Sequence, residues 1–105
     1  MDKRLKQIKG PVDKHGAIGS LHLPYSQVVK VLGEPNCKDD PDKVDVSWAV
    51  QEKSGKKRKL GVWNYKNGPA YLKKGTLNDI DEFSIGGTND QCVDLAKELF
   101  GHAVE

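Results

Sequence analysis

The sequence predicts a two-layer α+β domain, in which a three-stranded, mainly antiparallel sheet is packed by a short N-terminal helix and a longer C-terminal helix. An alternating apolar segment begins at Val44 and is followed by a turn and a second strand-like segment, which is typical of an antiparallel hairpin. The residues from Thr88 to Gly101 carry apolar side chains at helical spacing. Antiparallel strands flanked by helices favour an arrangement with the helices on one face of the sheet.

The first predicted element is a short helix from Pro24 to Gly33. Proline fits the first turn of a helix, and the apolar residues that follow it recur at helical spacing. Gly33 can end the helix in a left-handed conformation, and Pro35 prevents it from resuming. Residues 1–16 show no sustained apolar period, so we interpret them as a flexible or late-docking arm attached to a single domain of residues 17–105.

The hairpin supplies the first two predicted strands. Residues 44–51 alternate between apolar and polar side chains, which predicts one buried and one wetter face, and Trp48 shares the buried face with three valines. Residues 60–65 form the partner strand. Its faces are less distinct, so the pattern leaves open whether Trp63 and Tyr65 are buried or exposed.

The remaining elements are a loop, a third strand and the C-terminal helix. Residues 69–77 are expected to form a loop, and residues 80–85 a third strand. Thr88 followed by Gln91 has the spacing of a capping box, which predicts that the last helix begins at Thr88. Gly101 closes that helix.

Length and composition indicate one small domain. The chain has 105 residues, of which 36% are hydrophobic and 30% charged, so one thin core is expected rather than a disordered chain. No apolar stretch reaches the roughly 18 residues that a membrane span needs, and the first residues lack the apolar region of a secretory signal. We therefore expect a cytoplasmic protein without a membrane partner.

Charge is distributed unevenly along the chain. The net charge is only +2, but residues 53–74 contain eight basic residues and no acidic one, whereas residues 75–98 are mainly acidic. A nucleic-acid-binding module that uses the basic stretch is therefore the alternative function. The basic residues are Lys53, Lys56, Lys57, Arg58, Lys59, Lys66, Lys73 and Lys74.

The sequence does not indicate catalysis, a cofactor or a metal site. The three histidines, His15, His22 and His102, stand near the ends of predicted elements and apart from the two cysteines, and no nucleophile or phosphate-loop motif is present. The carboxylates between residues 39 and 42 lack the glycine and the distal glutamate of a calcium-binding helix-loop-helix. We expect a binding protein rather than an enzyme.

Two features are candidate contact sites. Aromatic residues interleaved with lysines around residues 63–74 can anchor a protein interface or stack on bases. The glycine pair before the last helix stands where free backbone N–H groups can hold an anion. The candidate contact residues are Trp63, Tyr65, Lys66, Tyr71, Lys73, Gly86, Gly87 and Thr88.

Four short patterns carry a resemblance: Gly33-Glu-Pro35, Asp42-Lys-Val-Asp-Val-Ser-Trp48, Val62-Trp-Asn-Tyr-Lys-Asn-Gly68 and Ile85-Gly-Gly87. In these patterns the chain resembles small uncharacterised accessory proteins of bacteriophages and prophages. The family pattern has Ile-Tyr-Asp-Tyr-Lys where this chain has residues 62–66, a departure at the first aromatic position. The resemblance implies a non-enzymatic inhibitor of a host defence system in the host cytoplasm. Such a monomer or homodimer would capture a host protein or an anionic nucleotide messenger.

Overall fold

A computed structural model describes residues 1–12 and 16–105 of the chain. Within these residues the protein is α+β, as predicted, but the sheet has five antiparallel strands and not three, and three helices accompany it. Two short 3₁₀ turns follow α2 and α3. The elements are β1 (Leu5–Gln7), β2 (Gly19–Leu21), α1 (Tyr25–Leu32), β3 (Ser47–Glu52), β4 (Lys59–Trp63), α2 (Pro69–Leu72), β5 (Phe83–Gly86) and α3 (Gln91–Phe100).

The two strands that the sequence did not predict form the edges of the sheet, whose order is β1-β3-β4-β5-β2. Leu5 of β1 lies opposite Glu52 of β3, and Leu21 of β2 lies opposite Phe83 of β5. Each edge strand has three residues, which is too few to establish an alternating pattern. The first part of the segment 1–16 is therefore paired with the sheet. That this segment docks late during folding stays a prediction.

One face of the sheet packs against α1 and α3 and forms the main core. Trp48 is fully buried, as predicted, and its indole Nε1 donates a hydrogen bond of 2.8 Å to the carbonyl of Gly33 at the end of α1. Its ring meets Phe83 edge-on, with 5.7 Å between the ring centroids. The helices contribute buried Val28, Leu32, Cys92, Leu95 and Ala96.

Two local predictions between β4 and α3 are wrong. Helix α3 begins at Gln91. The backbone N–H of Gln91 donates a hydrogen bond of 2.9 Å to the side-chain oxygen of Asn89, and not to Thr88. A capping box does occur, but at Thr76, where it opens a 3₁₀ turn. The expected loop after Gly68 contains the four-residue helix α2. The spacing of a capping box occurs in both places, so the spacing alone does not determine which one is used.

The second face of the sheet contains a row of small residues. Ala49 of β3 lies opposite Gly61 of β4, and Gly61 lies opposite Gly86 of β5. These three residues leave a shallow channel that crosses the three central strands. Glycine within a strand commonly marks the close approach of another backbone.

The described residues of the segment between β1 and β2 lie against this row in order. A Cβ atom on Gly86 would stand 2.9 Å from the carbonyl oxygen of Gly16, and one on Gly61 would overlap the carbonyl of Val12. Both faces of β3 are consequently buried from Ser47 to Val50, so the face predicted to be wetter is accessible only at its ends, where Asp45 and Gln51 are half-buried. The contacts across the row pair Gly10 with Ala49, Val12 with Gly61, and Gly16 with Gly86.

Among the described residues, no helix is both long enough and apolar enough to span a bilayer.

Candidate functional site

Trp63 and Tyr65 have opposite environments, although they are two residues apart. Trp63 ends β4 on the second face of the sheet and is only 8% exposed. Its ring lies against the backbone of Gly86, where a Cβ atom would stand 2.7 Å from the ring. Tyr65 follows the end of the strand and is 49% exposed. Trp63 is thus almost buried, and Tyr65 is half exposed.

An aromatic–lysine patch lies at this end of β4 and consists of Tyr65, Lys66, Tyr71 and Leu72. The Nζ atom of Lys66 lies 5.3 Å from the ring centroid of Tyr65 and 5.5 Å from that of Tyr71. Both distances are within the range of a cation–π interaction. Tyr71 is 48% exposed and its neighbour Leu72 is 46% exposed. The patch therefore exposes two tyrosine rings around one positive charge, and Leu72 is exposed next to Tyr71 in the chain.

A buried polar network holds the patch in place. Asn64 is fully buried, and its Oδ1 accepts hydrogen bonds from the backbone N–H groups of Asp45 at 2.8 Å and Val46 at 3.0 Å. Its Nδ2 donates to the Asp45 carboxylate at 2.8 Å, and the same carboxylate accepts from the backbone of Ala70 at 2.9 Å. The network fastens the segment between β4 and α2 to the residues before β3. Neither Asn64 nor Asp45 was among the predicted contact residues.

The backbone of the patch is held at two further points. The N–H of Lys66 donates to the carbonyl of Lys43 at 2.8 Å, and Lys66 adopts a left-handed conformation with φ of 60°. Lys73 ends α2 in the same conformation, and its N–H donates to the carbonyl of Pro69 at 2.8 Å. Tyr65 and Tyr71 are thus presented from a segment whose turns are fixed by hydrogen bonds.

A cavity of about 320 Å³ adjoins the patch on the second face of the sheet. Its floor contains Trp63 and Ser84, which pair across β4 and β5. Tyr65 belongs both to the cavity wall and to the patch. The other described residues that line the cavity are Gly16, Ala17, Asp39, Asp40 and Val44.

The predicted anion site at the glycine pair is separated from the patch. Gly86 and Gly87 are buried, since Gly86 packs under Trp63 and a Cβ on Gly87 would stand 2.7 Å from the Cβ of Cys92. Thr88 is exposed. Gly86 pairs with Gly61 inside the sheet, whereas the patch begins after β4 has ended at Trp63. The glycines serve packing in this fold.

The basic stretch 53–74 is divided between the two ends of β4. At the hairpin tip the guanidinium of Arg58 contacts Glu52 at 3.2 Å and Glu98 at 3.0 Å. The hydrogen bonds from Arg58 lower the pKa of both carboxyls. Lys66, Lys73 and Lys74 follow the opposite end of the strand and are exposed. The eight basic residues therefore do not form one continuous surface.

The described histidines and Cys92 stand in separate parts of the fold. His22 is half exposed, with Nε2 3.2 Å from a carboxylate oxygen of Glu105, and His102 is exposed in the turn after α3. His15 lies outside the described residues. Burial raises the pKa of the Cys92 thiol, which favours the protonated form. Among the residues that the structure describes, no group of three or more metal-ligating side chains could hold a metal ion.

No protein-family model matches the chain, and neither does any curated protein or solved structure. The site must therefore be interpreted from its own geometry.

Proposed function

We propose that this protein is a non-enzymatic binding protein that captures another protein through the aromatic–lysine patch. The observation that carries the proposal is the exposure of Tyr65, Tyr71 and Leu72 at 46–49% on a segment that hydrogen bonds hold in place. Tyrosine is enriched in interfaces because it offers a large apolar surface, a polar hydroxyl and few rotatable bonds. The resemblance to phage accessory proteins supports inhibition of a host defence protein in the cytoplasm as the biological setting.

A protein partner is favoured over an anionic nucleotide. The cavity beside Trp63 is lined by Asp39 and Asp40, whose negative charges oppose a phosphate. The backbone of Gly86 and Gly87 is covered by Trp63 and Cys92. At the patch a nucleotide could contact one lysine between two tyrosine rings, but the described residues form no phosphate site beside that lysine.

The division of the basic stretch argues against the nucleic-acid alternative. Phosphate binding benefits from several cations along one surface, and each neutralised duplex phosphate steepens the salt dependence by about 0.9 log units of affinity per log unit of salt. Here Arg58 already contacts two carboxylates, and the lysines after β4 lie at the other end of the strand.

The proposal is tested by differential capture from a nuclease-treated bacterial lysate. The baits are the wild-type protein, a Tyr65→Ser/Tyr71→Ser variant, and a Lys53→Ser/Lys56→Ser control at the hairpin tip. All replaced side chains are exposed, so each variant should keep its unfolding free energy within about 1 kcal/mol. We expect a protein, identified by mass spectrometry, that the wild type and the tip control retain and the double tyrosine variant loses.

Other results would reject the proposal. Capture that survives loss of both tyrosines would place the contact surface elsewhere. Retention of a nucleotide without any patch-dependent protein would support the messenger hypothesis. Loss of binding in the tip control, together with a steep salt response in lysate that was not nuclease-treated, would support the nucleic-acid module.

A further inference from the structure

We infer that the cavity beside Trp63 receives a basic side chain, arginine or lysine, presented by the partner protein. The inference rests on the proposed function, because it assigns a specificity pocket to the same surface. Tyr65 joins the two parts of this surface, since it lines the cavity and also contacts Lys66 in the patch.

The volume and lining of the cavity fit one long side chain. Its volume of about 320 Å³ is at the lower end of the range of ligand pockets, roughly 300–1,000 Å³. Trp63, Val44 and Ala17 supply apolar walls on which the methylene groups of arginine or lysine can pack. Tryptophan is also the aromatic side chain that attracts a cation most strongly.

The charge of the cavity selects a cation. Asp39 and Asp40 line it together. Asp40 is partly neutralised, because its carboxylate lies 3.9 Å from the Nζ atom of Lys43 and accepts a hydrogen bond of 2.9 Å from the backbone of Asp42. The Asp39 carboxylate also accepts a backbone hydrogen bond, of 2.7 Å from Asp40, but among the described residues it has no basic side chain at ion-pair distance. Asp39 is therefore the carboxylate that a visiting cation would neutralise.

Lys66 determines where the visiting charge lies. Its Nζ atom already occupies a position 5.3 Å from the Tyr65 ring, so a second cation on that ring would be repelled. The favourable position is on the other side of the cavity, between Trp63 and Asp39. A cation in this position contacts an aromatic ring and a carboxylate without competing with Lys66.

The test observes the two indole N–H signals by ¹⁵N–¹H NMR during titration with N-acetyl-arginine methylamide. Trp48 provides an internal reference, since its indole is buried and bonded to Gly33. We expect the Trp63 signal to shift with a millimolar Kd while the Trp48 signal stays constant. Asp39→Asn should weaken binding roughly threefold, as for an exposed ion pair, and the matched control Asp42→Asn should not.

The remaining probes separate this inference from its alternatives. The neutral analogue N-acetyl-norleucine methylamide should bind more weakly than the arginine derivative. Equal affinity for the arginine and norleucine derivatives, or an affinity that Asp39→Asn does not change, would mean that the cavity is an apolar pocket without preference for a cation. Either result would overturn the inference. Tighter binding of adenosine monophosphate would overturn it too. If no probe shifts Trp63 while Tyr65 and Tyr71 remain necessary for capture, the pocket assignment fails and the proposed function stands.

Discussion

The two ends of β4 are both basic, but they use positive charge differently. At the hairpin tip the guanidinium of Arg58 bonds to Glu52 and to Glu98 of α3, and only 12% of its side chain is exposed. At the other end the charge of Lys66 lies between two half-exposed tyrosine rings. The first arrangement joins the hairpin to a helix. The second leaves apolar surface in contact with solvent.

Arg58 and Lys66 differ in their burial and in the side chains that they contact, and these two properties distinguish a residue that supports the fold from one that belongs to a contact surface. The density of lysine and arginine in the sequence does not. An ion pair that bridges two elements stabilises the fold. An exposed cation–π contact contributes only about 0.5–1 kcal/mol, so the fold gains little from exposing Tyr65 and Tyr71. Binding a partner would account for that exposure.

The largest expected effect comes from removing the support of the patch. Asn64→Leu leaves the backbone N–H groups of Asp45 and Val46 without their acceptor and deprives the Asp45 carboxylate of a donor. We expect the unfolding free energy in urea to fall by about 3 kcal/mol, since each unsatisfied buried group costs about 1–3 kcal/mol. The exposed control Asn78→Leu should change it by less than about 0.5 kcal/mol. Equal effects would mean that the network does not support the patch.

A smaller loss is expected at the tip. Arg58→Met keeps an unbranched apolar stem but removes the guanidinium and its hydrogen bonds to Glu52 and Glu98, and should lower the unfolding free energy by about 1–2 kcal/mol. Protein capture should be unchanged, whereas Lys66→Met should weaken capture and leave stability nearly constant. A folded Arg58→Met protein that no longer captures its partner would contradict the separation of the two ends.

The pH dependence of stability sharpens the same comparison. Arg58 holds the pKa of Glu52 below its ordinary value of 4.5 in the folded protein, so the unfolded chain binds a proton more readily. The resulting stabilisation is complete above pH 4.5 and is lost as the pH falls through the folded-state pKa. Between pH 6 and pH 3, urea unfolding should show a smaller loss for Arg58→Met than for the wild type. Lys66→Met should follow the wild type, and a parallel decline of all three proteins would argue against this role of Arg58.

The smallest effect concerns the backbone of Lys66, whose φ of 60° is unfavourable for a residue with a Cβ atom. Lys66→Gly removes that cost but increases the entropy of the unfolded chain, so we expect a net gain of about 0.5 kcal/mol over Lys66→Ala. Thermal unfolding of the two variants measures the difference. A lower stability for the glycine variant would indicate that the left-handed conformation is not strained.

Elements with a clear local pattern could be predicted from the sequence. The helix ending at Gly33, the hairpin with Trp48 in the core and the C-terminal helix are all present, although their ends shift by a few residues. The edge strands could not be predicted, because β1 pairs with residues about 45 positions away and has no period of its own. Long-range pairing of this kind leaves little trace in a short segment.

The candidate site was predicted in part. The interleaved aromatic and basic residues indicated the region of Tyr65, Lys66 and Tyr71, but alternation alone could not decide the burial of Trp63. Trp63 is buried because another segment of the chain covers the second face of the sheet. The isolated glycines at positions 61 and 86, within strands, were the sign in the sequence that another backbone approaches there. The supporting Asn64 interrupts an apolar run, and a polar residue in that position is itself a sign of a buried hydrogen-bonding role.

The crossing of the sheet by the segment after β1 has a consequence for truncation. The outer strands β1 and β2 follow each other in the chain but lie four strand spacings apart, roughly 19 Å, so their connection must traverse β3, β4 and β5. A chain that started after Ile18 would retain both main helices, the hairpin and β5. It would leave Ala49, Gly61 and Trp63 as a flat bare surface, which is the kind of surface that favours self-association.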